Sequence, residues 1–452
     1  MDINKIISDV EKINAEYHYF NTISSQLAKD KAKELEAEPK GKLNGYIISV
    51  KDCICVLGVE SRAGSKILSG YEPVFDATVV EKVKEHGGII IGKTSQDAFG
   101  FGSFNTNVGI GMRVPLNPHD KKRACGGSSG GAAGFAQKAP FPHIAISEST
   151  GGSIVAPASF CGVVGLCPTY GRVSRYGLMD YANSLDKIGS IAKNVRDVSL
   201  MLSVISGADD KESTTVSQKV LDYTDYLKLD IKNKKIGIIK EGFSEGVNEE
   251  VKDKVMEGVA CLESAGVKTE KVSLPLTEKY GVSCYYLIAM SEASTNLAKY
   301  CGMRYGKHEN LSGSFNDYFS EVRSKNFNEE SKRRIIIGTF ARMAGYRDAY
   351  YIKAMKVRTK IIEEYKKAFK KYDVLVSPTM PIVAPKFSDI EKLTPLQNYM
   401  MDILTVGPNL AGMPHMTVPC GLNSEKMPVG LMMIADQLKE ENLVQIGSKL
   451  ER

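Results

Sequence analysis

Tyr46-Ile-Ile-Ser-Val50, running into Lys51-Asp52, and the later Gly87-Gly-Ile-Ile-Ile91 decide the fold class. Each is a short apolar run bounded by turn residues, the pattern of a strand buried on both faces. Between them Asp76 can cap a helix whose apolar face is Val79, Val80 and Val83, with Gly87-Gly88 ending it. The unit recurs as a strand over 236–239, a helix over 249–264 ending near Gly266, and a strand over 267–272. Another strand, Val374-Leu-Val376, runs into Ser377-Pro378, and a first amphipathic helix carries Ile3, Ile6, Ile7, Val10 and Ile13. Alternating helices and short apolar strands predict an α/β sheet covered on both faces.

The chain has 452 residues, which at about 150 per domain gives a starting expectation of three domains. No flexible linker or internal repeat supports that division. With 43% hydrophobic and 25% charged residues the chain is neither disordered nor fibrous. The formal charge of +6 has no long block of one sign, so it does not by itself argue for nucleic-acid binding. The nine cysteines are scattered without a CxxC pair, which predicts reduced thiols and no metal site. The first residues lack a signal-peptide core and no apolar run approaches ~18 residues. A cytoplasmic protein with no membrane association is expected. Residues 126–177 are rich in Gly and Ser with few helix cues, and 300–334 read as a polar insertion ending at Lys332-Arg333-Arg334.

One motif is a decoy. Gly87-Gly-Ile-Ile-Ile-Gly92-Lys93-Thr94 fits the phosphate-loop pattern letter for letter, but a helix precedes it and three isoleucines fill its interior. A strand cannot wrap its amides around a phosphate. The chemistry lies instead in Gly126-Gly-Ser128-Ser129-Gly-Gly131 and Thr150-Gly-Gly-Ser153, where glycines let amide N–H groups converge beside a serine. Taken singly, either segment reads better as a glycine-rich turn with solvated serines. A serine nucleophile needs a base. The six histidines, at 18, 86, 119, 143, 308 and 415, fall in no recognisable elbow. Lysine is the alternative, and Lys51 closes an apolar strand; by spacing alone it could equally be a snorkelling strand end.

Lys51-Asp52, the two glycine–serine segments and Ala158-Ser-Phe-Cys-Gly162-Val-Val-Gly-Leu-Cys-Pro168-Thr together resemble the amidase signature family, from about residue 45 to the end. Tyr170-Gly-Arg-Val-Ser-Arg-Tyr-Gly177, Ser184-Leu-Asp-Lys-Ile-Gly189, Gly338-Thr-Phe, Ala344-Gly-Tyr, Asp348-Ala-Tyr-Tyr351 and Lys356-Val-Arg-Thr359 resemble one branch of it. That branch comprises the glutaminase subunits of tRNA-dependent amidotransferases. The resemblance implies a single α/β/α layered domain over 1–452 around a mixed, mostly parallel sheet. Residues 1–44 would form a helical segment packed on it, with 300–334 as the insertion.

The resemblance also implies roles. Ser153 is the expected nucleophile, Ser128 the bridging serine and Lys51 the general base. Thr150, Gly151 and Gly152 are expected to line the oxyanion site. Arg334 would bind the glutamine α-carboxylate and Asp402 its amino group. Tyr285 or its neighbour Tyr286 would make a further substrate contact, as would Ser129. No cofactor is expected on this chain. ATP and Mg are expected on a partner B subunit that converts Glu-tRNA(Gln) to Gln-tRNA(Gln). A small C subunit is a possible third member, and tRNA is expected to be reached mainly through the partner. The pattern departs from the family at Ser149, where most members have aspartate, and at Ala98. The stretch from Ser128 to Ser153 is also one residue longer. The competing readings are a free-standing small-molecule amidase and a scaffold that has lost catalysis.

Overall fold

The computed structural model describes residues 2–310 and 313–451. Its strands are β1 Phe20–Ile23, β2 Ile47–Lys51, β3 Ile89–Thr94, β4 His143–Ser149, β5 Val164–Cys167, β6 Lys187–Ala192, β7 Lys235–Ile239, β8 Lys268–Val272, β9 Val374–Pro378, β10 His415–Leu422 and β11 Pro428–Ala435. They form one sheet in the order β1-β3-β2-β4-β6-β5-β10-β11-β9-β7-β8. The main helices are α1 Ile3–Tyr17, α2 Ser25–Ala37, α3 Thr78–Glu85, α4 Gly130–Lys138, α5 Val155–Cys161, α6 Val195–Ile205, α7 Glu249–Ser264, α8 Pro275–Asn296, α9 Phe315–Asn326, α10 Glu329–Arg342 and α11 Lys353–Phe369.

All five residues of β2 are buried, as its unbroken apolar run predicts. The period of two sorts its side chains between two cores. Ile47 joins Ile89, Ile91 and Ala145 under Val10, Ala28, Phe135 and Ala158. Ile48 and Val50 join Ile90, Ile144 and Ile146 under Val79, Val83, Val198 and Met201. The α/β layered class expected from the sequence is therefore present, with helices on both faces.

The sheet is mixed, but the expectation that it is mostly parallel is wrong. Only β2–β3, β2–β4, β7–β8 and β7–β9 run parallel. The other six pairings are antiparallel. Helical crossovers such as α3 and α7 make parallel neighbours, whereas the centre of the sheet is built on the β10–β11 hairpin. A second correction concerns Asp76: Ala77 holds the N-cap of α3. The Asp76 carboxylate instead accepts the Leu57 N–H at 2.8 Å and the Lys84 ammonium at 2.6 Å.

Residues 3–37 supply the edge strand β1 as well as two helices. Within 300–334 lie α9 and the first turns of α10; Leu311 and Ser312 are outside the described residues. The phosphate-loop look-alike is strand β3, with Lys93 fully buried and donating to Ile54 O and Ser61 Oγ at 2.6 Å each. Among the described residues no helix is long and apolar enough to cross a membrane.

The stretch with few helix cues holds α4 and α5. Helix α4 is Gly-Gly-Ala-Ala-Gly-Phe-Ala-Gln-Lys, and its small residues answer to packing rather than to helix propensity. A Cβ on Gly134 would lie 2.2 Å from the Tyr19 ring, whose hydroxyl is tied to Leu116 O at 2.9 Å. Gly134→Ala is therefore expected to destabilise the protein by about 1–3 kcal/mol through overpacking, although alanine favours helix by about 1 kcal/mol. Urea unfolding checks this; a more stable variant would contradict the packing argument.

Candidate active site

Lys51 ends β2 with its side chain fully buried, so its ammonium needs a partner for every proton. It has them: Nζ donates to Ser128 Oγ at 2.8 Å, Glu148 O at 2.9 Å and Glu148 Oε2 at 2.9 Å. Ser128 sits in the loop before α4, and Glu148 on β4, the parallel neighbour of β2. The Ser128 loop is drawn tight by Asp97: a Cβ on Gly127 would meet Asp97 Oδ2 at 2.3 Å. Asp97 accepts the Asn107 and Asn105 amides at 2.8 and 3.0 Å. Burial nevertheless pushes its carboxyl up to about 6.

Ser153 lies in the turn from β4 into α5, and no side chain fits before it. A Cβ on Gly151 would lie 2.4 Å from the Tyr285 ring. Gly152, at φ +148°, would collide with Thr405, whose hydroxyl donates to Gly151 O at 2.7 Å. Ser149, at the position where the family resemblance implied an aspartate, accepts the Gly152 amide at 3.2 Å. That amide is thus engaged, while the Gly151, Ser153 and Ile154 amides have no acceptor among the described residues. Gly152, one of the residues expected to line the oxyanion site, thus has its amide occupied.

Ser153, Gly151, Tyr285, Tyr286, Arg334 and Asp402 line one small, narrow cavity. Arg334 on α10 donates through Nε to Glu330 Oε1 at 2.7 Å and through Nη1 to the Tyr181 hydroxyl at 2.6 Å. Its guanidinium also lies 5.0 Å from the Phe101 ring centre and 5.3 Å from that of Tyr286. Asp402 accepts the Tyr286 hydroxyl at 2.6 Å, and burial raises its pKa. Both tyrosines of the ambiguous pair face the cavity: Tyr285 packs on Gly151, and Tyr286 holds Asp402.

Four expected residues lie outside this lining: Lys51 and Ser128, buried behind it, and Ser129 and Thr150. Ser129 is fully buried and donates to Glu148 O at 3.3 Å, outside the cavity lining, because its side chain points back toward β4. Thr150 is likewise turned inward, its hydroxyl between Glu148 and Asp186. None of the histidines lines the cavity. His143 and His415 are buried, and burial depresses both rings, His143 to about 3.

The amidase family model matches residues 3–444. The chain belongs to the amidase family. It is 47% identical to the A subunit of the glutamyl-tRNA(Gln) amidotransferase of Halothermothrix orenii, over 94% of this chain and 88% of that one. The protein of the same name from Geobacillus is 44% identical over 98% of this chain and 91% of its own length. The crystal structure of the A subunit of the Thermotoga maritima glutamyl-tRNA(Gln) amidotransferase superposes with a TM-score of 0.81 at 36% identity. The match covers 98% of this chain and 89% of the other.

Sequence reasoning missed several residues of this amidase site: Glu148, Asp186, Tyr181, Glu330, Asp97 and Thr405. Glu148 had a signal, because a lone carboxylate in a strand bound for burial must have a buried partner. Tyr181 and Glu330 had none, since only the fold sets them beside Arg334.

Asp97 gives a pH test. Its folded pKa of about 6 exceeds the ordinary carboxylate value near 3.9. Folding therefore takes up a proton between those values, so this group's contribution to stability falls as pH rises from about 4 to about 6, by roughly 3 kcal/mol in all. Asp97→Asn is expected to flatten that slope in urea titrations across the window; an unchanged slope would remove Asp97 as its source.

Proposed function

We propose that this amidase is the glutamine-hydrolysing A subunit of a glutamyl-tRNA(Gln) amidotransferase. The observation that carries the reading is the cavity itself, where Arg334 and Asp402 share one small space with Ser153. A guanidinium suits an α-carboxylate and a carboxylate suits an α-ammonium, so glutamine is gripped at its amino-acid end while its side-chain amide meets the serine. A general small-molecule amidase has no use for that double grip, which disfavours the free-standing alternative. A scaffold without catalysis has no use for a buried lysine facing a serine.

The mechanism follows from the order of the groups. Neutral Lys51 takes a proton from Ser128, which takes one from Ser153. Ser153 Oγ attacks the side-chain amide carbon, and the oxyanion is met by the free amides of the glycine turn. The proton returns through Ser128 to the departing nitrogen, ammonia leaves, and water hydrolyses the glutamyl ester. The first link is formed, with Lys51 Nζ 2.8 Å from Ser128 Oγ. No Ser128–Ser153 hydrogen bond exists among the described residues, and the mechanism requires that link to form in the substrate complex.

Ammonia would pass to a B subunit that holds ATP and Mg, activates the glutamate on Glu-tRNA(Gln) and amidates it, with a C subunit completing the assembly. The burial of Lys93 in β3 supports placing ATP on the partner, because the look-alike motif is closed to phosphate. Ser153→Ala and Lys51→Ala are each expected to abolish glutamine-dependent amidation while free ammonia still supports it. Loss of both activities together would make those residues structural. Arg334→Lys and Asp402→Asn are expected to lower kcat/KM for glutamine by about 10–100-fold, as a lost charge-assisted hydrogen bond does. Simple aliphatic amides hydrolysed faster than glutamine, with partner present, would overturn the proposal.

A further inference from the structure

Thr150 has one hydroxyl proton, yet its Oγ1 lies 2.7 Å from Glu148 Oε1 and 2.8 Å from Asp186 Oδ1. Two carboxylates cannot share one donor at these distances, because one oxygen–oxygen contact would then hold no hydrogen. One of the two groups is therefore an acid at rest. Burial, followed by the charge on Glu148, raises Asp186 well above the usual carboxylate range, against the Tyr181 and Ala182 amides that it accepts. Glu148 instead faces the Lys51 ammonium at 2.9 Å. The resting order is thus Asp186 donating to Thr150, Thr150 to Glu148, and Lys51 to both Glu148 and Ser128.

We propose that Glu148 is the positioning residue that takes the proton Lys51 must lose, turning a buried ammonium–carboxylate pair into a neutral amine and a neutral acid. The inference rests on the reading of Lys51 as base given above. In the step an Nζ–H bond breaks, its electron pair stays on nitrogen, and a lone pair of Glu148 Oε2 forms the new O–H bond. The pair is neutral before and after, so no isolated charge is left in the interior. Nζ then turns about its Cε–Nζ bond and points the freed pair at Ser128 Oγ. The other titratable groups facing this pair are Cys53 beyond β2, Asp186 ahead of β6, Cys167 on β5 and Asp97 in the loop after β3. Among the described residues, Glu148 is the only carboxylate within hydrogen-bond range of Nζ.

The test is kcat/KM for glutamine hydrolysis by the assembled complex from about pH 6 to about pH 9. The wild type should be flat through the neutral range, because the proton moves internally. Glu148→Gln leaves Lys51 no internal acceptor, so its proton must exchange with solvent and the rate should lose the wild type's flat profile, lower on the acid side than on the alkaline. An equal loss at every pH, or no loss, would overturn the proposal. Asp186→Asn keeps a neutral donor toward Thr150 and should keep the flat wild-type pH profile even where its rate falls. An acid-side limb in that variant would overturn the protonated assignment of Asp186. If Glu148→Gln does not fold, as judged by ammonia-dependent amidation, Thr150→Val reads the same dependence. A smaller acid-side loss is expected, and a uniform loss would count against the idea. Lys51→Met retaining activity would sink the base reading itself, an outcome separate from any of these.

Discussion

A lysine ammonium sealed from water has to find three acceptors or it cannot stay charged, and the architecture around Lys51 is organised by that requirement. It places Lys51 at the end of an interior strand, β4 alongside as the source of two of the acceptors, and the Ser128 loop above as the third. The supports follow in turn. Asp97 clamps the glycines of the Ser128 loop, and Thr150 with Asp186 fixes the Glu148 carboxylate. A buried ion pair of this kind contributes little net stability, since desolvation offsets most of its attraction. Its use lies in setting where a proton sits.

The substrate side of the site comes from the other half of the chain. Helix α8 brings Tyr285 and Tyr286, α10 brings Arg334, and the turn before 406–410 brings Asp402 and Thr405. The two halves meet where Gly151 and Gly152 lie against Tyr285 and Thr405 with no room for a methyl group. The glycines thus do two jobs. They leave amides without acceptors and let Tyr285 and Thr405 pack directly against the backbone beside Ser153.

Much of this was legible in the sequence because strands and nucleophile turns are local. The apolar runs at 47–50, 89–91 and 374–376 and the helix at 249–264 stand where periodicity put them. Spacing left Lys51, Ser128 and Ser153 open, and only the resemblance to the amidase signature family singled them out. What could not be read is what depends on contacts distant in sequence. The direction of the central strands depends on which hairpin inserts between which crossovers. Helix α4 hides behind glycines required by Tyr19, and Ser129 was assigned to substrate although strand geometry turns it inward. Asp76 looked like a cap because its position fits, but the nearby Leu57 amide and Lys84 claim it first.

The β10–β11 hairpin lies between β5 and β9 in the sheet, although it follows both in the chain. Until it inserts, the strands before β7 and the β7–β8–β9 group have no shared hydrogen-bonded edge. Lys51, Ser128 and Ser153 lie in the first of these groups, and Asp402 and Thr405 follow β9, so the hairpin is the seam that joins the two stretches of chain carrying them.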